Sequence, residues 1–330
     1  MTKPLIAKCL DSGLRRGAMA GIVVVVSAIA LSAGIKFFAT QTEFKITPET
    51  AVAVAASAPT PRKLETLAFE DILDQVSDTL SVARYAGNSR VLVFDFPNLT
   101  DQGLTFNRIA AFVEKQDTPR NRLLTGEELQ RLVKSTGKTT GTLYFGHDYR
   151  ASDLAKFFNR AAATATNLNA EERKLRQLLL EHKALLSRSG KFAAAEPEQV
   201  LISLTQTGPT RATDSIVQTI DRNLRSTVLR HELSHAVFFM NDDYRSYCFS
   251  FWENRLTPDE RRGFLSYFAG EGYDINDQFL VVNEMQAYLM HTPEMKVFNE
   301  THIGTSKSVL NDMRARFRSG HSHPQLGISQ

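Results

Sequence analysis

The stretch LRHELSHAVFF, residues 229 to 239, sets His231 and His235 four positions apart with Glu232 between them. On an α-helix that spacing puts both imidazoles on one face, one turn apart, where they can reach a single ion. A fold that uses the pair must bring this helix into the core and set a further ligand opposite it. The preceding residues favour such a helix: Ile216, Ile220, Leu224 and Val228 recur every fourth residue after Asp214, and the chain then turns almost wholly apolar. On the five residues alone a second reading stays open, in which two hydrogen-bonded histidines sit in an ordinary core helix.

A third ligand is expected from FLVVNEMQAYLM, where Glu284 stands among Phe279, Leu280, Val281, Val282 and Met285. A carboxylate in such surroundings is costly unless it is paired, protonated or bound to a metal. The spacing predicts a helix there, capped around Asp274 to Asp277 and stopped before Pro293. Between the two helices, TPDERRGFLSYFAGEG predicts another, with Thr257 as cap, Pro258 at the first helical position, Glu260 completing a capping box and Gly270 or Gly272 at the end. Asp242, Asp243 and Asp274 are weaker candidates for the third ligand.

Two imidazoles and a carboxylate suit Zn2+, which in catalytic sites keeps its remaining position for water and lowers that water's pKa toward about 7. Glu232 is then placed to accept the proton. Tyr288 and His291, four and seven residues after Glu284, lie near the same helix face and are candidate donors to an oxyanion. Each also has a plain role open to it, Tyr288 as a core residue with a bonded hydroxyl and His291 as a cation at a helix C-terminus. Tyr244, Tyr247, Tyr273 and His302 stay in play as donors, whereas His321 and His323 read as a solvated tail.

Through HELSH at 231 to 235 and NEMQA at 283 to 287 the chain resembles the zincin metallopeptidases, and within them the gluzincins. The resemblance covers the two helices and the strand before the first; nothing before about residue 198 adds to it. It implies that His231, His235 and Glu284 bind zinc and that Glu232 is the general base of peptide hydrolysis, with a peptide or protein as substrate. The chain departs from many gluzincins in having Tyr288 where they carry an acid that orients a ligand histidine. Metzincins match poorly, since Phe238 and Asn241 stand where that group has glycine and histidine.

At the other end of the chain, Gly17 to Ile35 carries no charge, and as a helix this run is about 28 Å long, close to the thickness of a bilayer core. Lys3, Lys8, Arg15 and Arg16 precede it against the single acid Asp11, which favours a cytoplasmic N-terminus and an extracytoplasmic C-terminal part. A single-pass anchor is the expectation, and a cleaved signal peptide followed by secretion is the alternative. Residues 37–64, rich in Ala, Thr and Pro, read as a linker. A net charge of +3 from 39 basic and 36 acidic residues gives no strong field, so no nucleic-acid partner is expected. Cys9 lies ahead of the apolar run and Cys248 beyond it, so no internal disulfide is expected.

Within the remainder, residues 64–84 predict a helix, 90–96 a strand, the segment from Thr125 a capped helix, that from Thr142 a short strand, and that from Ser152 a helix. Residues 170–186 predict an amphipathic helix, 198–208 a strand, and the end of the chain from Arg314 a mobile tail. A few strands among many helices, without regular alternation, give an α+β class. The expected organisation is a cytoplasmic 1–16, a transmembrane helix over 17–36, the linker 37–64, a subdomain of 65–197 and a zincin-like core of 198–330, mostly helical with a small sheet. A membrane-anchored zinc metallopeptidase is the reading this supports. Two alternatives stay open: a non-catalytic envelope protein tied by a structural metal or polar cluster, and a zinc hydrolase of a non-peptide bond.

Overall fold

The computed structural model describes residues 64–207, 221–320 and Leu326. The expected cytoplasmic segment, membrane helix and nearly all of the linker lie outside the described residues, as do 214–220 of the expected metal helix and the His321 to His323 tail. No helix among the described residues is long and apolar enough to cross a membrane.

The fold is α+β, mostly helical with a small sheet, and it is built around β3 (Asn88–Phe96) and β7 (Val200–Thr205). These run parallel, with Val91 opposite Val200 and Phe96 opposite Thr205. β2 (Ser81–Tyr85) adds antiparallel to β3, and β1 (Glu65–Leu67) adds parallel to β2. β4 (His147–Arg150) pairs antiparallel with β7 and closes the other edge, giving the order β1-β2-β3-β7-β4. β5 (Leu185–Arg188) and β6 (Lys191–Ala194) form a separate hairpin.

Strand alternation sorts the apolar residues of β3 onto two faces. Leu92, Phe94 and Phe96 pack with Phe106 and Ile109 of α2 (Leu99–Val113), with Leu154, Phe157 and Phe158 of α4 (Ala151–Ala163), and with Leu175 and Leu179 of α5 (Ala170–Glu181). Val91 and Val93, with Val200, Ile202 and Leu204, pack instead against α1 (Phe69–Asp74) and against Val228, Leu229, Leu233 and Ala236 of α6 (Arg222–Met240). α3 (Gly126–Ser135) lies between α2 and β4 in the chain, and its capping box closes through Thr125 and Glu128.

Beyond the end of α6 the core becomes helical. Phe238 joins a cluster built from α7 (Asp242–Asn254), α8 (Pro258–Gly270), α9 (Gln278–His291) and α10 (Lys307–Gly320). α8 begins as its sequence predicts, with Pro258 in the first turn and a Thr257 to Glu260 capping box. Each fully buried phenylalanine here, such as Phe251, Phe264 and Phe268, is worth roughly 1.5–3 kcal/mol over its exposed state.

Several local expectations are corrected. The helix expected over 64–84 shrinks to α1, because Ser81 to Tyr85 pair with β3 and Val76 is exposed rather than buried. The strand expected from Thr142 is a single 3-10 turn, Thr140–Thr142, and the strand starts only at His147. The tail expected from Arg314 is helical as far as Gly320, because Leu310, Met313 and Phe317 recur every three to four residues and all bury. The boundary expected at 197/198 runs through the sheet, since β7 is hydrogen-bonded on both sides to strands from before it.

Candidate metal centre

α6 carries His231 and His235 on one face, with ring centroids 4.7 Å apart. α9 crosses α6 so that Glu284 Oε2 lies 3.7 Å from His231 Nε2 and 3.9 Å from His235 Nε2. The two histidines and this glutamate therefore form a triangle that a single ion can fill, and they are one of two groups among the described residues with that property. The second group is Asp148, Glu232 and His235, in which Asp148 Oδ2 of β4 comes within 3.6 Å of His235 Nε2.

A buried polar network sets the crossing. Tyr244 Oη donates to Gln286 Oε1 at 2.8 Å, Gln286 Nε2 donates to Ser234 Oγ at 3.2 Å, and Ser234 Oγ donates to the His231 carbonyl at 2.7 Å. Ser234, Tyr244 and Gln286 are all fully buried, so the geometry is fixed by groups that have no water to turn to. The sequence places them by simple helical spacing: Ser234 lies one residue from His235, and Gln286 two from Glu284.

The tautomer of His231 follows from its neighbour. The Thr292 hydroxyl donates its one hydrogen to the Ala287 carbonyl at 3.0 Å, so across the 2.8 Å contact with His231 Nδ1 it accepts. Nδ1 thus carries the proton and the Nε2 lone pair faces Glu284. Burial pushes His231 down to about 3 and His235 down to about 4, the latter opposed by the Glu284 charge. Both rings are neutral near pH 7, the form that binds metals.

The acids are displaced the other way. Burial raises Glu284 above the usual carboxylate range, although His235, Lys115 and a hydrogen bond from Tyr273 oppose the rise. Glu232 is raised well above its usual value, chiefly by burial and then by the charges of Asp148, Glu284 and Glu114. Asp148 is raised for the same reasons, and Glu114 is pushed up to about 7. Four carboxylates thus converge with one buried lysine among them, and Oε2 of both Glu232 and Glu284 has no hydrogen-bond partner. Buried carboxylate oxygens without hydrogen-bond partners, facing neutral imidazole nitrogens, are a donor set that fits a divalent cation.

Glu232 lies beside the triangle and lines a cavity of about 510 Å³ that His231 and Tyr288 also line. The backbone at Gly146 is packed against its carboxylate so closely that a Cβ there would overlap the Glu232 oxygen. Tyr288 stacks edge-on against His231 with centroids 4.7 Å apart, and its hydroxyl is engaged with Tyr267. His291 closes α9 and belongs to neither ion-holding group. Asp242, Asp243 and Asp274 also belong to neither; Asp242 pairs with Arg245 and Asp274 with Arg120.

Tyr273, one of four further donors considered, hydrogen-bonds to Glu284, whereas Tyr247 is committed to the Phe317 carbonyl. Sequence reasoning missed Asp148, Glu114 and Lys115. The only signal for Asp148 was an acid within the short run HDYR, between two residues that bury, His147 and Tyr149. Comparison with protein-family models, curated proteins and solved structures finds no match to this chain.

Proposed function

We propose that this protein is a zinc-dependent hydrolase with a zincin-like, gluzincin-type arrangement, and that its substrate is a peptide or protein. The observation that carries the reading is the meeting of ligand atoms of His231, His235 and Glu284 within 4.8 Å of one another beside a cavity that Glu232 lines. Two imidazoles and one carboxylate favour zinc over the harder cations. When bound, zinc supplies a Lewis acid that activates water toward a carbonyl carbon. Glu232 takes up the proton released there and passes it to the leaving amine. Tyr288, edge-on to His231, fixes that ring against rotation. The open cavity beside the triangle favours catalysis over a purely structural metal, whose site would be closed.

The same reading includes an N-terminal membrane anchor, supported by the uncharged run from Gly17 to Ile35 and the basic residues before it.

The direct test is metal content. The purified full chain is expected to hold one equivalent of zinc, and His235→Ala to hold none, by elemental analysis. Uptake should also release protons. Both histidines are neutral beforehand, burial raises the pKa values of Glu284 and Glu232 in the metal-free protein, and a bound cation lowers them again, so whatever share of the two carboxyls is protonated beforehand gives up its proton on binding. Calorimetry in buffers of different ionisation enthalpy reads that release; a metal-free protein that takes up no zinc would sink the reading.

Thr292 offers a subtler check. Thr292→Val removes the acceptor that orients His231 Nδ1–H, and the expected cost is about 10–100-fold in zinc affinity, measured by competition with a chromogenic chelator. Unchanged affinity would mean that packing alone holds the ring.

A further inference from the structure

Lys115 is 5% exposed and yet has no carboxylate within ion-pair distance among the described residues. Its position is set by the backbone, because Lys115 and Tyr273 form an isolated antiparallel bridge, flanked by hydrogen bonds from Gln116 to Gly272 and from Asp274 to Glu114. The ammonium donates to the Glu271 carbonyl at 3.3 Å, lies 3.7 Å over the Tyr273 ring and 4.6 Å from the centre of the Tyr144 ring. The Glu271 carboxylate is turned to the exposed Lys138 instead. Lys115 is thus held in contact by one carbonyl and two aromatic faces, with the charges of Glu114, Glu284 and Glu271 acting on it from beyond ion-pair distance, and it lines a void.

That void is the cavity of about 510 Å³ that Glu232 and His231 also line. The Tyr273 ring carries Lys115 on its face and gives its hydroxyl to Glu284, so a single aromatic ring separates the ammonium from a proposed metal ligand. Lys115 and Glu232 line the same cavity, so a peptide that places an anion at Lys115 extends through that cavity toward Glu232.

We propose that Lys115 is the docking point for a substrate carboxylate, so that the cavity takes peptides in which a carboxylate lies close to the bond to be cut. The carboxylate is supplied either by the chain end or by an Asp or Glu side chain. The cleavage half of this rests on the hydrolase reading above; the binding half does not. Phe145, exposed at the rim, and the aromatic walls from Tyr144 and Tyr267 suit the apolar part of such a peptide.

The test is calorimetric binding of a tetrapeptide to the full chain carrying Glu232→Gln, which prevents turnover. Three forms are compared: a free C-terminal acid, the C-terminal amide, and an amide whose last residue is glutamate. The acid is expected to bind at least about tenfold more tightly than the plain amide. Lys115→Met is expected to erase that preference, and Lys115→Arg, which keeps the charge, to retain most of it. If the glutamyl amide matches the acid, a side chain serves as the source; if it matches the plain amide, only the chain end does.

The comparison is repeated after zinc is removed by a chelator, which needs no substitution at Lys115. A preference that survives chelation supports Lys115, and one that vanishes places the carboxylate on the metal and overturns the proposal. Equal binding of all three forms overturns it too. A protein that never holds zinc but keeps the preference refutes the hydrolase reading alone.

Discussion

Glu232→Gln is expected to lower turnover of a peptide substrate by about 10³-fold while zinc content stays at one equivalent. The substitution is nearly isosteric, so the packing of Gly146 against the side chain survives. What is lost is basicity, since an amide cannot take up a proton. Glu232 suits the task because it is buried and because its Oε2 has no hydrogen-bond partner to compete for the lone pair. Its raised pKa reflects burial and the charges of Asp148, Glu284 and Glu114; a bound cation opposes all three charges and returns the group toward the ionised form a base requires. Turnover of a peptide library measured beside elemental analysis reads both quantities at once. Full activity in the variant would remove Glu232 from the chemistry, whatever the metal content.

The largest expected effect on stability lies away from the cavity. Arg225 on α6 is 4% exposed, and its guanidinium donates to both oxygens of the equally buried Asp95 on β3, at 3.0 and 2.6 Å. It also donates to the Thr205 carbonyl at the end of β7 and to the Ile72 carbonyl of α1. One side chain thus ties α6 to β3, to β7 and to α1. Arg225→Met is expected to cost roughly 3–5 kcal/mol, because it strands Asp95 in the interior with only Gln206 as a side-chain donor. Chemical denaturation measures the loss. Replacing Asp95 and Arg225 together by apolar residues should recover much of it, and a single variant as stable as the parent would show that water reaches Asp95.

Much of the candidate centre was legible in the sequence because it depends on helix periodicity. The pair of histidines, the acid on an apolar helix and the capped start of α8 are short-range patterns, and the structure places His231, His235 and Glu284 together. What stayed hidden depends on tertiary pairing. Asp148 reaches His235 only because β4 pairs with β7, and nothing local to HDYR announces that partner. α2 escaped because polar residues interrupt its apolar face: Gln102, Asn107 and Arg108 all bury. Ser81 to Arg84 fell within the helix expected over 64–84, and the pairing with β3 overrode it.

The place of β7 between β3 and β4 has a consequence for how the molecule is born. A ribosome delivers four of the five strands of this sheet before the one that joins β3 to β4, and Val91 must wait for Val200 to emerge. Such long-range closure is slow, and nascent strand edges stay open to mispairing in the meantime. α9, with Glu284, emerges later still. Hydrolytic competence, on the reading above, is thus withheld until α9 has emerged, and a product terminated before it would be inert.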